Sequence, residues 1–432
     1  MIHNIYHLFL FLFILSGCQA GSQTLIEQLR SLPNVVSVEA VTYDVNFAEQ
    51  YEVYFEQPLD HNHPVLGHFN QRVIVSHQGK QRPVVAVLEG YQIWNGQQDE
   101  LTQLLNANQV NIEHRFFKSS RPDSVPWEKL TIWQAATDQH KIIEALQTIY
   151  PQNWISTGIS KGGQATMYHR TFYPGDVKAS VAYVAPLNYQ REDPRIYRFL
   201  NSVGTAQDRE RVYGFQCLCF EHFNELESML KQKAKDYSWT FEMGTKMALQ
   251  YTILEYSFAF WQWGAFRPDE IPGKESTTDD IFYHLNRVSG FTFFEANELE
   301  ANRAFFWAAL TEMGMYGYQT EPFRKYLGDT TDYTFDFSAP EGKQPVFNPQ
   351  AMQQVKNYLD GDAKNMLCIV GGLDTWSATA YEPSGNNNLV RMTLPNGHHG
   401  TRIKDFNPLE RKYIYSLLEN WMEVSITDPF TD

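Results

Sequence analysis

Cysteine is scarce in this chain. Only four of its 432 residues are cysteine. One of them, Cys18, closes an apolar N-terminal stretch, which leaves Cys217, Cys219 and Cys368 for the rest. Cys217 and Cys219 are too close in sequence for an ordinary bridge, and no spacing is of the zinc-binding kind. A disulfide framework and a structural zinc site are thereby excluded, and the remaining thiols read as reduced and buried. Positive charge is also short. The 35 Lys and Arg stand against 50 Asp and Glu, a formal net charge of −15. That balance argues against nucleic acid or an anionic membrane surface as a partner, though it does not speak to a local basic patch. No internal repeat or low-complexity tract is present. Asp60-His61-Asn62-His63 has the residue types of a metal site but the make-up of an ordinary turn, so neither metal nor cofactor is expected.

Long apolar runs are missing except at the very start. Ile2 to Leu15 is almost wholly apolar and leads into Leu15-Ser16-Gly17-Cys18, a lipobox. A small residue before cysteine suits cleavage between Gly17 and Cys18, with lipid attached to the Cys18 sulfur. The stretch is short for a membrane span, and its n-region holds His3 and His7 but no Lys or Arg. The expectation is a lipoprotein signal peptide over residues 1–17 and a tether over 18–40. The mature chain would then sit in a bacterial cell envelope, periplasmic or at the cell surface, anchored through Cys18, or be secreted.

What the chain does have is aromatic and apolar mass, 15% and 43% of residues. That suffices for one large core and an inserted or second domain. Its most informative segment is Gly158-Ile159-Ser160-Lys161-Gly162-Gly163. It follows a strand-like run, Trp154 to Thr157, and opens a helical one, Gln164 to Arg170. Gly-x-Ser-x-Gly at such a junction is the nucleophile elbow of α/β-hydrolases. Small residues let neighbouring backbone approach the strained serine. The N–H of Lys161 at the helix start then faces an oxygen that becomes negative in acyl transfer.

Order along the chain strengthens this reading. Met366 to Val370 reads as a buried strand and runs into Gly371-Gly372-Leu373-Asp374. Leu389 to Leu394 reads as another and ends at Pro395-Asn396-Gly397-His398-His399-Gly400. Serine, aspartate and histidine thus follow successive strands in that order, each just past the strand's carboxyl end. A hydroxyl becomes a useful nucleophile when an imidazole takes its proton, and a carboxylate fixes the imidazole's tautomer. Upstream, the apolar run Pro83 to Leu88 stops at Glu89-Gly90-Tyr91, where Gly90 or Tyr91 would supply a second oxyanion donor from its backbone N–H.

Val53 to Phe55 and Gln71 to Val75 read as a leading antiparallel pair, and strands then alternate with helices, as in a mostly parallel sheet. From about Leu187 to Pro345 the pattern turns helical and aromatic. Phe215, Cys219, Phe223, Leu226 and Leu230 recur at spacings of one amphipathic helix; Tyr251 to Phe266 and Ala301 to Tyr318 read as others. The expected architecture is an α/β-hydrolase core over 41–186 and 346–432 with a helical cap over 187–345.

Several motifs together resemble a known family. They are Phe55-Glu56-Gln57-Pro58-Leu59-Asp60-His61 with Phe69-Asn70-Gln71-Arg72, Glu113-His114-Arg115-Phe116-Phe117, the Ser160 hexapeptide and Tyr183-Val184-Ala185-Pro186. They are similar to the secreted bacterial tripeptidyl aminopeptidases, serine peptidase family 37, from about residue 45 to the C-terminus. Thr311-Glu312-Met313-Gly314 is also similar to relatives of the prolyl carboxypeptidase and dipeptidyl peptidase II kind. The resemblance implies Ser160 as nucleophile, Asp374 as the orienting acid and His399, the histidine before glycine, rather than His398. The tail Gly400-Thr401-Arg402 departs from the Leu-Asp type of the relatives. Removal of short, tri- or tetra-, peptides from free N-termini is implied, and a preference for proline at the cleaved bond is left open.

An exopeptidase needs a carboxylate for the substrate ammonium, and Glu113 and Glu312 are the candidates. An internal salt bridge of Glu113 with Arg115 or Arg121 is the competing reading. Two other functions fit the residues alone: a carboxylesterase or lipase with the same triad, and an inactive peptide-binding lipoprotein. Oligomeric state is not legible.

Overall fold

The computed structural model describes residues 23–328, 333–385 and 388–430. Cys18 and its lipobox lie outside the described residues. A single nine-stranded sheet has the order β1-β2-β3-β5-β4-β6-β7-β8-β9. The strands are β1 (Val35–Val41), β2 (Glu49–Pro58), β3 (His68–His77), β4 (Val84–Leu88), β5 (Asn108–Ile112), β6 (Trp154–Ile159), β7 (Ala179–Tyr183), β8 (Lys364–Gly371) and β9 (Asn388–Leu394). The first three pair antiparallel and β3 pairs antiparallel with β5; from β5 to β9 every pairing is parallel. Helices cover both faces, so the parallel strands inside the sheet are buried on both sides, and only the edge strand β9 is largely open. All five residues of β4 and of β7 are buried, which is why they are continuous apolar or small runs rather than alternating ones. This is the α/β-hydrolase fold.

The N-terminal segment corrects one expectation. Residues 18–40 are not simply a tether, because Leu25–Arg30 is a helix and β1 begins at Val35. Leu29 and Val38 are buried and pack in the same cluster as Val53, Val73 and Tyr150. The alternation in β1 is weak, so its edge position was not visible in the sequence.

Between β7 and β8 the chain leaves the sheet and forms helices, among them Ala206–Glu221, Phe223–Tyr237, Gly244–Trp263 and Thr278–Ser289. They enclose a core of their own that includes Phe215, Leu226, Leu249, Tyr256, Phe260, Leu285 and Phe291. The amphipathic stripe from Phe215 to Leu230 is carried by two helices instead of one. His222, with φ −96° and ψ 17°, closes the first and opens the second. Spacing alone could not show this break, since both helices turn an apolar face to one core. The Gly244–Trp263 helix ends where Gly264 adopts φ +58°, a left-handed stop that glycine accepts without strain. In the stretch read as Ala301 to Tyr318, regular helix covers only Arg303–Ala308. A wider turn over Ala309–Met313 follows, ended by Gly314.

Candidate active site

The chain order β4, β5, then β6 on the other side of β4, makes a topological switch between β4 and β6. Clefts in open α/β sheets form there, outside the carboxyl ends of the strands. Ser160 stands at this point. It has φ 57° and ψ −120° and is the residue before the Lys161–Phe172 helix. Such a conformation costs a non-glycine residue about 1–3 kcal/mol and persists only when the surroundings enforce it. The Ser160 N–H donates to the Tyr183 carbonyl at 2.9 Å. Gly158 has no room for a Cβ, which would stand 2.3 Å from the Gly162 carbonyl. Gly90 is equally confined, since its Cβ would meet the Gly162 nitrogen at 2.4 Å. The turns after β4 and β6 are therefore pressed backbone to backbone. Ile159 is 38% exposed and Trp263 57%; they flank the half-buried Ser160 and the ring of His399, which Trp263 meets edge-on at 5.3 Å.

Asp374 follows β8 and His399 follows β9. Their side chains meet, His399 Nδ1 to Asp374 Oδ2 at 2.7 Å, with exposures of 5% and 1%. The other Asp374 oxygen accepts from the Trp376 N–H at 3.1 Å, so the carboxylate is aimed by its own turn. His399 is also held by its backbone, whose N–H donates to the Gln262 carbonyl at 2.8 Å. His398 is directed elsewhere: its Nδ1 lies 2.8 Å from the Trp261 carbonyl, and its ring packs over Gly264. Of the two histidines, His399 is the one placed against the aspartate.

The Lys161 side chain is a feature that sequence reasoning missed. Its amine is buried, donates to the Gly90 carbonyl and lies over the rings of Phe117 and Tyr91, at 4.9 and 5.6 Å from their centres. Burial pulls its pKa well below the usual lysine range. The next carbonyl, of Tyr91, accepts from the His114 N–H at 3.0 Å. The chain has no cis peptide bond among the described residues, and in a trans peptide the C=O and N–H point opposite ways. A clamp on the Gly90 carbonyl therefore turns the Tyr91 N–H away from the lysine. Burial raises the pKa of the Tyr91 phenol to about 12, so it remains a hydroxyl donor. Lys161→Met keeps the bulk and removes the clamp. Its kcat is expected to fall about 100-fold, the scale of an ångström's misplacement, with KM little changed, as steady-state kinetics would show.

Neither carboxylate chosen from the sequence is open. Glu113 is fully buried and accepts from the Ile93 N–H, the Ser120 N–H and the Ser120 hydroxyl, each at 2.9 Å. Arg72 is the nearest cation at 3.8 Å, rather than Arg115 or Arg121. Glu113 thus fastens the loop after β5, and the idea that it meets a substrate ammonium is withdrawn. Glu312 is half-buried and accepts from the Ile132 N–H at 2.7 Å, at the start of the Ile132–Gln147 helix, where a negative charge is favoured. Arg115 is occupied by Asp138, through Nε at 2.6 Å and a second nitrogen at 2.8 Å. His61 shares that aspartate at 2.6 Å, and Asp60 pairs with Lys129 at 2.8 Å. The Asp-His-Asn-His loop is thereby part of an ion-pair network, and no group of ligands fit for a metal occurs among the described residues.

The fold and the elbow define a serine hydrolase of the α/β type. The family model described as PS-10 peptidase S37 matches residues 21–428, and the chain belongs to that family: it is a serine peptidase. It is 30% identical over 383 residues to a prolyl tri/tetrapeptidyl aminopeptidase of Streptomyces mobaraensis, a match covering 86% of this chain and 80% of that protein. Among solved structures it is similar to the proline iminopeptidase of Mycobacterium smegmatis. That likeness has a TM-score of 0.42 and 11% identity and covers 90% of this chain and 99% of the other.

Proposed function

We propose that this protein is a serine exopeptidase that releases short peptides, of three or four residues, from free N-termini through an acyl-enzyme. Ser160 is the nucleophile, His399 the base that takes its proton, and Asp374 the group that holds the imidazole with Nε2 free toward the serine. The oxygen of the tetrahedral intermediate is received by the N–H groups of Lys161 and Tyr91, with Gly90 as the residue that allows their approach. His399 then passes its proton to the departing amine, and water repeats the sequence on the acyl-serine. The observation that carries the reading is the buried 2.7 Å pair of His399 and Asp374 at the same sheet edge as the strained Ser160. The Streptomyces relative's name supports the peptide length and a proline at the cleaved bond. A fluorophosphonate probe is expected to label Ser160 stoichiometrically and to spare the His399→Ala variant; a modified residue other than Ser160 overturns the assignment.

The envelope location belongs to the same proposal. No helix among the described residues is long and apolar enough to cross a membrane, and the lipobox supports attachment through a lipid on Cys18. Cys18→Ser is expected to move the protein from the membrane fraction to the soluble one in its native host. Unaltered fractionation, with no lipid on the N-terminal peptide by mass spectrometry, contradicts it.

A further inference from the structure

The helical insert contains a buried carboxylate that pairs with no cation among the described residues. Glu255, on the Gly244–Trp263 helix, is 4% exposed. It accepts from the Tyr316 hydroxyl, 2.9 Å from each oxygen, and from the Tyr318 hydroxyl at 2.8 Å. Neutral donors are its only hydrogen-bond partners among the described residues, and burial pushes its carboxyl up to about 8. Two other buried acids are matched by cations, Asp138 by Arg115 at 2.6 Å and Asp193 by Arg195 at 2.7 Å. A carboxylate with this setting gains strongly from an incoming cation, because an unpaired buried charge costs several kcal/mol.

Its position relates it to the triad. Two turns further along the same helix face, the Gln262 carbonyl accepts from the His399 N–H at 2.8 Å. The pair Glu255 and Gln262 is thus separated by about 10 Å along the axis. One turn from Glu255, Phe258 stacks on Tyr316 with ring centres 3.7 Å apart. Its carbonyl accepts from the hydroxyl of Thr375, the residue after Asp374, at 2.8 Å. Tyr316 also meets the ring of Trp376, with ring centres 5.5 Å apart, and the Trp376 N–H donates to Asp374 at 3.1 Å. An extended chain advances about 3.3–3.6 Å per residue, so three residues reach about 10 Å from ammonium to attacked carbonyl.

We propose that Glu255, cradled by Tyr316 and Tyr318, binds the α-ammonium of the peptide and so sets the distance from the free N-terminus to the cleaved bond. This rests on the exopeptidase reading above. The half-buried Tyr318 is the side by which the amine enters. Glu89, the other carboxyl that burial raises to about 8, faces Asn111 and Asp99 beside β5 and serves as a control.

The test is the ratio of kcat/KM on a free tripeptidyl anilide to that on its N-acetylated twin. Glu255→Gln is expected to lower this ratio by at least about 100-fold, the scale on which removing one partner of a buried charge pair acts, and Glu89→Gln to keep it. A purely structural role would depress both substrates together and leave the ratio unchanged, which overturns the inference; so does a collapse of the ratio in Glu89→Gln. If Glu255→Gln does not fold, Glu255→Asp keeps the charge but withdraws it by one methylene. Its ratio is then expected to fall at least about tenfold, and an unchanged ratio overturns the inference. Equal cleavage of both substrates by the unaltered protein sinks the exopeptidase reading itself. Discrimination that survives Glu255→Gln sinks only the role of Glu255.

Discussion

Ser160→Ala is expected to lower peptide turnover by about 10⁶-fold, and adding His399→Ala to cost almost nothing further. The reason is that the imidazole acts only through the hydroxyl it deprotonates. Without that hydroxyl there is no proton for His399 to take, and the residual rate comes from binding and oxyanion donors. The backbone should be indifferent to the first change. Ser160 already holds φ 57° in a turn whose neighbours Gly158, Gly90 and Gly162 are packed too closely for a Cβ, and alanine meets the same strain as serine. Thermal unfolding of the variant should therefore match the original protein. If the double variant loses the product of the two single losses, the residues act separately and the triad is misassigned. A loss on His398→Ala as deep as on His399→Ala would point the same way, since His398 is bound to the Trp261 carbonyl.

Asp374→Asn is the second large effect, about 10⁴-fold in kcat. The carboxylate accepts at Oδ2 from the His399 Nδ1–H and at Oδ1 from the Trp376 N–H. Asparagine can keep only one of these arrangements. With its carbonyl on Trp376, its amide donates toward Nδ1, so the imidazole must carry its proton on Nε2 and cannot accept from serine. The geometry survives while the tautomer is wrong. KM should move little, and fluorophosphonate labelling should slow in step with kcat. A loss under tenfold would mean that Asp374 serves its turn rather than the chemistry.

Much of this arrangement was readable from the residues. Ser160 and Asp374 each follow a run whose apolar or small side chains mark a strand buried on both faces, His399 follows the more exposed edge strand β9, and the turn residues after each run are glycines, proline and asparagine. Such signals are local, and local signals survive in a sequence. Partnerships are not local. Glu113 reads as an available charge, yet the groups that occupy it are the backbone of Ile93 and the Ser120 side chain and backbone, none of which can be inferred from spacing. Lys161 was legible as the owner of an N–H, but a lysine amine packed between Phe117 and Tyr91 contradicts the usual preference of that side chain for water. Glu255 is hidden for a related reason. It interrupts an aromatic helix, Tyr251 to Trp263, and its tyrosine partners come from a separate segment more than one helix away. The tether reading of residues 18–40 failed at Leu29 and Val38, whose burial depends on strands that come later in the chain.

The central claim is that the protein removes short peptides from free N-termini with Ser160. It is tested most directly by incubating the purified protein with a long unblocked peptide and sequencing the first products by mass spectrometry. The account requires N-terminal fragments of three or four residues, absent when the peptide is acetylated and absent with Ser160→Ala. Internal fragments, or the same fragments from the acetylated peptide, would contradict it.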